Sequence, residues 1–141
     1  MPVFRCDILT LYGRIYSGEA ESLTLVTADG ELQVLAGHEP VAAPVLPCVL
    51  TLATTDGVRI AATSGGFVTV TQKKVELFLD SGEWAAEIDR KRAEEALARA
   101  EQRLKEGAMT WETNRAKASA SRARARLAAL AAEAARHAST T

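Results

Sequence analysis

Hydrophobic and polar residues alternate along the first half of the chain and recur at helical spacing along the second. Phe4, Cys6 and Ile8 alternate with Arg5 and Asp7, and Leu23 and Leu25 with Ser22 and Thr24. Val58, Ile60 and Ala62 alternate with Arg59 and Ala61, and Val75, Leu77 and Leu79 with Glu76 and Phe78. A period of two belongs to a strand with one buried face. Asp29-Gly30 and Asp56-Gly57 are expected to close hairpins, because glycine accepts the positive φ such turns demand, and Lys73-Lys74 to form another reversal. Short strands at this spacing predict a sandwich or barrel with few open edges.

From Trp84 onward the pattern changes. Proline disappears and Gly107 is the only glycine, while Ala, Glu, Arg, Lys and Leu, the strongest helix formers, dominate. Ala93, Leu97, Ala100 and Leu104 recur at helical spacing, as do Ala116, Ala120, Ala123, Leu127, Leu130 and Ala134. Gly107 suits the left-handed residue that ends a helix, and Thr110 can cap the next one. The reading is an α+β protein: an antiparallel β-sandwich or barrel over residues 1–84, then an antiparallel two-helix hairpin over 85–141. A seam made mostly of alanine buries little area. At about 0.8 kcal/mol per buried methylene-sized group it supplies only a few kcal/mol, so the hairpin is expected to open and close.

Charge divides along the same boundary. Residues 1–85 carry five Lys+Arg against ten Asp+Glu, residues 86–106 carry six of each, and residues 107–141 carry six against two, giving −5, 0 and +4. An acidic body therefore faces a basic terminal helix, which favours docking of one on the other. Cys6 and Cys48 lie in apolar patterns with no CxxC and no neighbouring His, and are expected to be buried reduced thiols. Arg5 and Asp7 interrupt any early apolar run, so no signal peptide is expected. The longest uncharged window, Pro40 to Thr55, holds three prolines and is too short to span a bilayer, which points to a soluble chain without direct membrane insertion.

Candidate chemistry is sparse. His38 stands alone in a Gly/Pro loop and reads as structural rather than as a metal ligand or base. No nucleophile elbow, zincin or P-loop motif is present, and Ser64-Gly65-Gly66-Phe67, without a following Lys and helix, reads as a strand-entry bulge. No catalytic constellation, metal site or catalytic cofactor is expected. Arg115, Lys117, Arg122, Arg124 and Arg126 crowd one helix, but the acidic body and few aromatic residues disfavour a nucleic-acid arm. Arg122 and Arg126 share one helix face, and Asp89, Arg92 and Arg99 share another. In a folded hairpin these guanidinium forks could converge on a polyphosphate.

Several short segments occur in a recognisable order: Ser17-Gly18-Glu19, Gly30-Glu31-Leu32, Gly37-His38-Glu39-Pro40, Ser64-Gly65-Gly66-Phe67, Asp80-Ser81, Ile88-Asp89-Arg90-Lys91-Arg92-Ala93 and Ser121 to Leu127. In that order, over nearly the whole chain, they resemble the epsilon subunit of rotary F-type ATP synthases. Gln33 where the family usually has Gly, Leu11-Tyr12 in place of Pro-Glu, and Thr69 in place of Glu depart from its pattern.

The resemblance implies a non-catalytic rotor subunit whose sandwich clamps the gamma subunit and rests on the c-ring. Glu31 would meet the c-ring loops, and His38 would lie near the stalk. The hairpin would fold on the sandwich or extend into the alpha-beta catalytic hexamer and obstruct ATP hydrolysis. Regulatory ATP would hold it folded: Ile88 and Asp89 would meet the adenine end, Arg92, Arg99, Arg122 and Arg126 the phosphates, and Glu83 and Ala93 the pocket's border. The implied location is peripheral, on the cytoplasmic face of the bacterial plasma membrane. A stand-alone ATP-sensing adaptor, or less readily a nucleic-acid-binding arm, remains the alternative.

Overall fold

The computed structural model describes residues 2–107 and 110–140, with the side chains of residues 110, 139 and 140 left out. Ten strands come first: β1 (Phe4–Thr10), β2 (Gly13–Ala20), β3 (Ser22–Thr27), β4 (Gly30–Leu35), β5 (Val41–Val45), β6 (Cys48–Thr54), β7 (Gly57–Thr63), β8 (Gly66–Val70), β9 (Lys74–Leu79) and β10 (Gly82–Trp84). A 3-10 turn at Ala85–Glu87 leads into helices α1 (Arg90–Lys105) and α2 (Thr110–Thr140). The hydrogen-bonded strand order is β10-β7-β6-β3-β5-β8-β9-β1-β2, with β4 paired to β3. All pairings are antiparallel except β1 with β9, which run parallel from Arg5 opposite Lys74 to Thr10 opposite Leu79.

The two ends of this order approach each other. A Cβ added to Gly82 in β10 would lie 3.0 Å from Cδ1 of Ile15 in β2. The sheet thereby nearly closes around one core, where Cys6, Ile8, Leu23, Leu25, Leu52, Val68 and Leu77 have no exposed surface. Closure limits the unpaired backbone that an open sheet would leave at its edges.

The expected reversals form, by a rule the dipeptides only partly expose. The central turn residues are Ala28-Asp29 and Thr55-Asp56, with glycine just after them. In each turn a threonine organises both sides: Thr27 Oγ1 donates to Gly30 O at 3.1 Å and accepts from Asp29 N, and Thr54 does the same with Gly57 and Asp56. Thr10 and Thr71 repeat the device at Gly13 and Lys74. Each hydroxyl satisfies a backbone donor and a backbone acceptor where the ladder ends.

The helices pack as a hairpin, and α2 also lies on the sheet. Ala93 and Ala100 of α1 and Ala116, Ala120 and Ala123 of α2 are buried in the seam, whereas Leu97, Leu104 and Leu127 are half-buried. Gly107, at φ 65°, follows the end of α1 as expected. The expected cap at Thr110 falls on a side chain outside those described.

Ala134 departs from the expected seam and is exposed. The reason is length: α1 has 16 residues and α2 has 31, so at 1.5 Å per residue α2 runs on for about 20 Å more than α1 covers. A second alanine row, Ala125, Ala129 and Ala132, packs instead against Ile60, Ala62, Ala85 and Ile88. This contact buries both faces of the end of β7. Ala61 turns into the sandwich while Ile60 and Ala62 turn to the helix, so the alternation there marks two apolar surfaces rather than one.

Candidate functional site at the junction of sandwich and hairpin

Where β10 leaves the sandwich, the chain turns into α1, and α2 returns beside it. Asp89 precedes the first turn of α1 in extended conformation, and its Oδ1 accepts from Arg92 N at 3.1 Å. That cap fixes where α1 begins. From this start Arg92, Ala93 and Arg99 line a cleft of about 530 Å³ together with Glu83 of β10 and Arg126 of α2. Glu87, Asp89 and Glu95 line it as well.

One ion pair ties α2 to β10. Arg126 Nε donates to Glu83 Oε1 at 2.7 Å, with both side chains about one-third exposed. Glu83 itself is fixed by the pairing of β10 with β7, opposite Ala62. The neighbouring Trp84 is buried in the sandwich core, with the Arg59 guanidinium stacked 3.8 Å from its ring centre. Among the described residues, the guanidinium groups of Arg92 and Arg99 carry no ion pair, and Arg90 pairs with Glu94 at 3.9 Å.

Six of the eight expected nucleotide residues therefore meet in one cleft: Glu83, Asp89, Arg92, Ala93, Arg99 and Arg126. The other two do not line it. Ile88 is only 9 % exposed, with its side chain in the helix–sheet core, because the 3-10 turn points it inward against Ala125 and Ala129. Arg122, one turn before Arg126, opens onto an adjoining cleft and donates through Nη2 to Ser119 Oγ at 3.1 Å.

Glu31 and His38 lie apart from this junction in sequence and at opposite ends of β4. Glu31 is exposed at the strand's start. His38 is half-buried beyond its end, with its Nδ1 2.7 Å from the Glu39 carbonyl oxygen. Among the described residues no group of three or more His, Cys, Asp or Glu is placed to hold a metal ion.

Sequence reasoning missed two features. The Glu83–Arg126 pair spans 43 residues and has no local signature. The second is an apolar strip on the outside of the sandwich: Phe67 and Phe78 lie opposite each other on β8 and β9, 42 % and 47 % exposed, with Pro44 and Leu9 as their next neighbours across the sheet. The signal was present in the alternation itself, since Phe78 occupies a position where Glu76 predicts an outward side chain.

Comparison with known proteins places both halves of the chain. Residues 3–85 match the model of the ATP synthase delta/epsilon chain beta-sandwich domain, and residues 86–131 match that of its long alpha-helix domain. The ATP synthase epsilon chain of Ruminiclostridium cellulolyticum is 36 % identical over 129 residues, 92 % of this chain and 96 % of that one. The ATP synthase epsilon chain of Halalkalibacterium halodurans is 34 % identical over 106 residues, 75 % of this chain and 80 % of that one. Among solved structures, a chain of the Euglena gracilis mitochondrial ATP synthase OSCP/F1/c-ring assembly matches at a TM-score of 0.81 and 22 % identity, covering 92 % of this chain and 83 % of that one. A chain from the Tetrahymena thermophila mitochondrial ATP synthase central stalk and c-ring matches at 0.61 and 19 %, covering 90 % and 96 %.

Proposed function

Because the chain belongs to the family of ATP synthase epsilon subunits, we propose that it is a rotor subunit that couples ion-driven turning of the c-ring to ATP synthesis, with a hairpin that restrains ATP hydrolysis. ATP acts as the clamp that holds the hairpin folded. The observation that carries this reading is the junction cleft, whose walls come from β10, α1 and α2 together. Such a site exists only while the hairpin is closed. A ligand that binds only the closed form stabilises it by about 2.7 kcal/mol at a hundredfold excess over Kd. That is comparable with what an alanine seam provides, so ATP can decide the balance between closed and extended arms.

The charge distribution supports the second state. Arg115 and Arg124 are exposed on α2, and opening the hairpin would free Arg122 and Arg126 as well. An extended arm then presents a basic face to acidic surfaces of the alpha-beta hexamer. On the sandwich, the strip of Phe67 and Phe78 supports contact with gamma, and the solved assemblies of central stalk and c-ring support the placement at the rotor. Glu31 is the residue offered to the c-ring loops and His38 the one nearer the stalk. No helix among the described residues is long and apolar enough to cross a membrane, in keeping with peripheral attachment through the c-ring at the cytoplasmic face.

Calorimetry of the full chain tests the clamp. Wild type should bind ATP, and Arg126→Ala should weaken binding about tenfold or more, the expected cost of a charge-assisted contact to phosphate. Absence of ATP binding by the wild type would remove the clamp. The rotor contact has its own check. Phe67→Lys combined with Phe78→Glu should leave the folded chain's melting temperature nearly unchanged, because both residues are already half in solvent and the opposite charges can pair across the ladder. It should lower affinity for gamma about tenfold or more by placing charge in a desolvated contact. Unaltered assembly with gamma would move the contact to another face.

A further inference from the structure

We propose that a second cleft, on the far side of the Glu83–Arg126 pair, takes the terminal phosphates of a nucleoside polyphosphate, and that Arg14 of the sandwich is one of its ligands. The inference rests on reading the junction as a nucleotide site. It concerns where the phosphates go and which residue outside the helices receives them.

Charge separates the two clefts. The first is lined by three guanidinium groups, Arg92, Arg99 and Arg126, but also by four carboxylates, Glu83, Glu87, Asp89 and Glu95. A polyanion placed there meets more negative than positive groups. The second, about 470 Å³, is lined by Arg14, Arg122 and Arg126 with Glu83 as its sole carboxylate. Three like charges around one acid repel one another, and phosphate oxygens relieve that repulsion.

The donors are available. Arg126 uses Nε for Glu83, which leaves its two Nη groups without a hydrogen bond among the described residues, and Arg122 gives one Nη2 contact to Ser119. The Arg14 guanidinium is exposed and makes no ion pair or hydrogen bond among the described residues, its charge acting only at longer range on the Asp7 carboxylate. Ser81, whose hydroxyl bonds to Ser64 Oγ at 2.9 Å, adds a neutral polar group to the same wall.

Backbone geometry brings Arg14 to this place. The β1–β2 register shifts so that Ile8 pairs with Tyr16 and Leu9 with Arg14, leaving Ile15 as the extra residue of a bulge. Bulges re-aim side chains. Here Ile15 packs against Gly82, where an added Cβ would lie 3.0 Å from its Cδ1, so the hairpin end is seated on β10 directly beside Glu83. A phosphate held by Arg14 on the sandwich and by Arg122 and Arg126 on α2 would bridge the two halves of the molecule. This bridge would be a direct means of locking α2 onto the sheet.

Calorimetry of the full chain with ATP, ADP and inorganic tripolyphosphate, for wild type and Arg14→Gln, tests the assignment. The loss expected in Arg14→Gln is about tenfold or more in affinity for ATP and for tripolyphosphate, with an unchanged melting temperature. Equal binding of ATP and tripolyphosphate by the two proteins overturns the assignment while leaving the nucleotide reading intact. Tripolyphosphate binding that depends on Arg14, with no gain from the adenosine of ATP, keeps the phosphate cleft and removes the nucleotide reading. If wild type binds none of the three, both fall.

Discussion

Gly66→Ala should leave the chain largely unable to hold its sandwich. A Cβ at this position would lie 2.0 Å from Phe78 O, 2.8 Å from Leu79 Cα and 2.9 Å from Phe78 C, all backbone of the paired strand β9. No side-chain rotation can relieve a clash with backbone, so the β8–β9 ladder must part where Gly66 pairs with Leu79. Overpacking that displaces backbone costs about 3 kcal/mol or more, a large share of the 5–15 kcal/mol typical of a whole domain. The expected result is a melting temperature lower by about 10–20 °C, or recovery only as aggregate. Melting within a few degrees of wild type would contradict the close approach of the two strands.

The second large effect lies in the seam. Ala123 has no exposed surface where α2 faces α1, and its neighbours in the row, Ala116 and Ala120, are equally enclosed. Ala123→Glu would bury a carboxylate with no partner, at a cost of about 3 kcal/mol or more. An alanine seam worth a few kcal/mol cannot absorb that, whereas the sandwich core shares no residue with this row. Two halves should therefore respond differently. Trypsin should cut the Arg- and Lys-rich helices about a hundredfold faster than in wild type, while a fragment of roughly residues 1–90, ending at the first arginine of α1, resists. Loss of the sandwich at the same rate would show that the halves unfold as one unit.

What the sequence disclosed, and what it withheld, follows from the range of the interactions. Alternation at Cys6, Ile8, Val75 and Leu77 reports a local period, and helical spacing at Ala93, Ala100, Ala116 and Ala120 reports another. Both survive into the structure because backbone geometry alone generates them. The α2–sheet contact was legible only in part. Ala125, Ala129 and Ala132 form a second row beside the seam, but in a helix so rich in alanine a second buried face has no contrast against the first.

The site shows the same division. Asp89, Arg92 and Arg99 were placed together by spacing, whereas Ala93 joined them only through the family resemblance. Ile88 was assigned through the resemblance and lies turned inward, because the 3-10 turn before α1 sets its direction. Arg14 carries no local mark at all. Its relevance depends on the bulge at Ile15 and on the seating of that bulge against Gly82, contacts between strands at opposite ends of the sheet order.

Whether ATP closes the hairpin inside the assembled enzyme is measured directly by fluorescence transfer across the junction. Cys6 and Cys48 are buried, and burial pushes the Cys6 thiol up to about 12, so cysteines introduced at the exposed positions Thr55 and Ala131 can be labelled selectively. With Thr55→Cys and Ala131→Cys carrying donor and acceptor in the ATP synthase complex, transfer should rise with ATP along a saturable curve. Adding Arg126→Ala should shift that curve to about tenfold or more higher ATP. Transfer that stays constant from zero to saturating ATP would contradict the clamp.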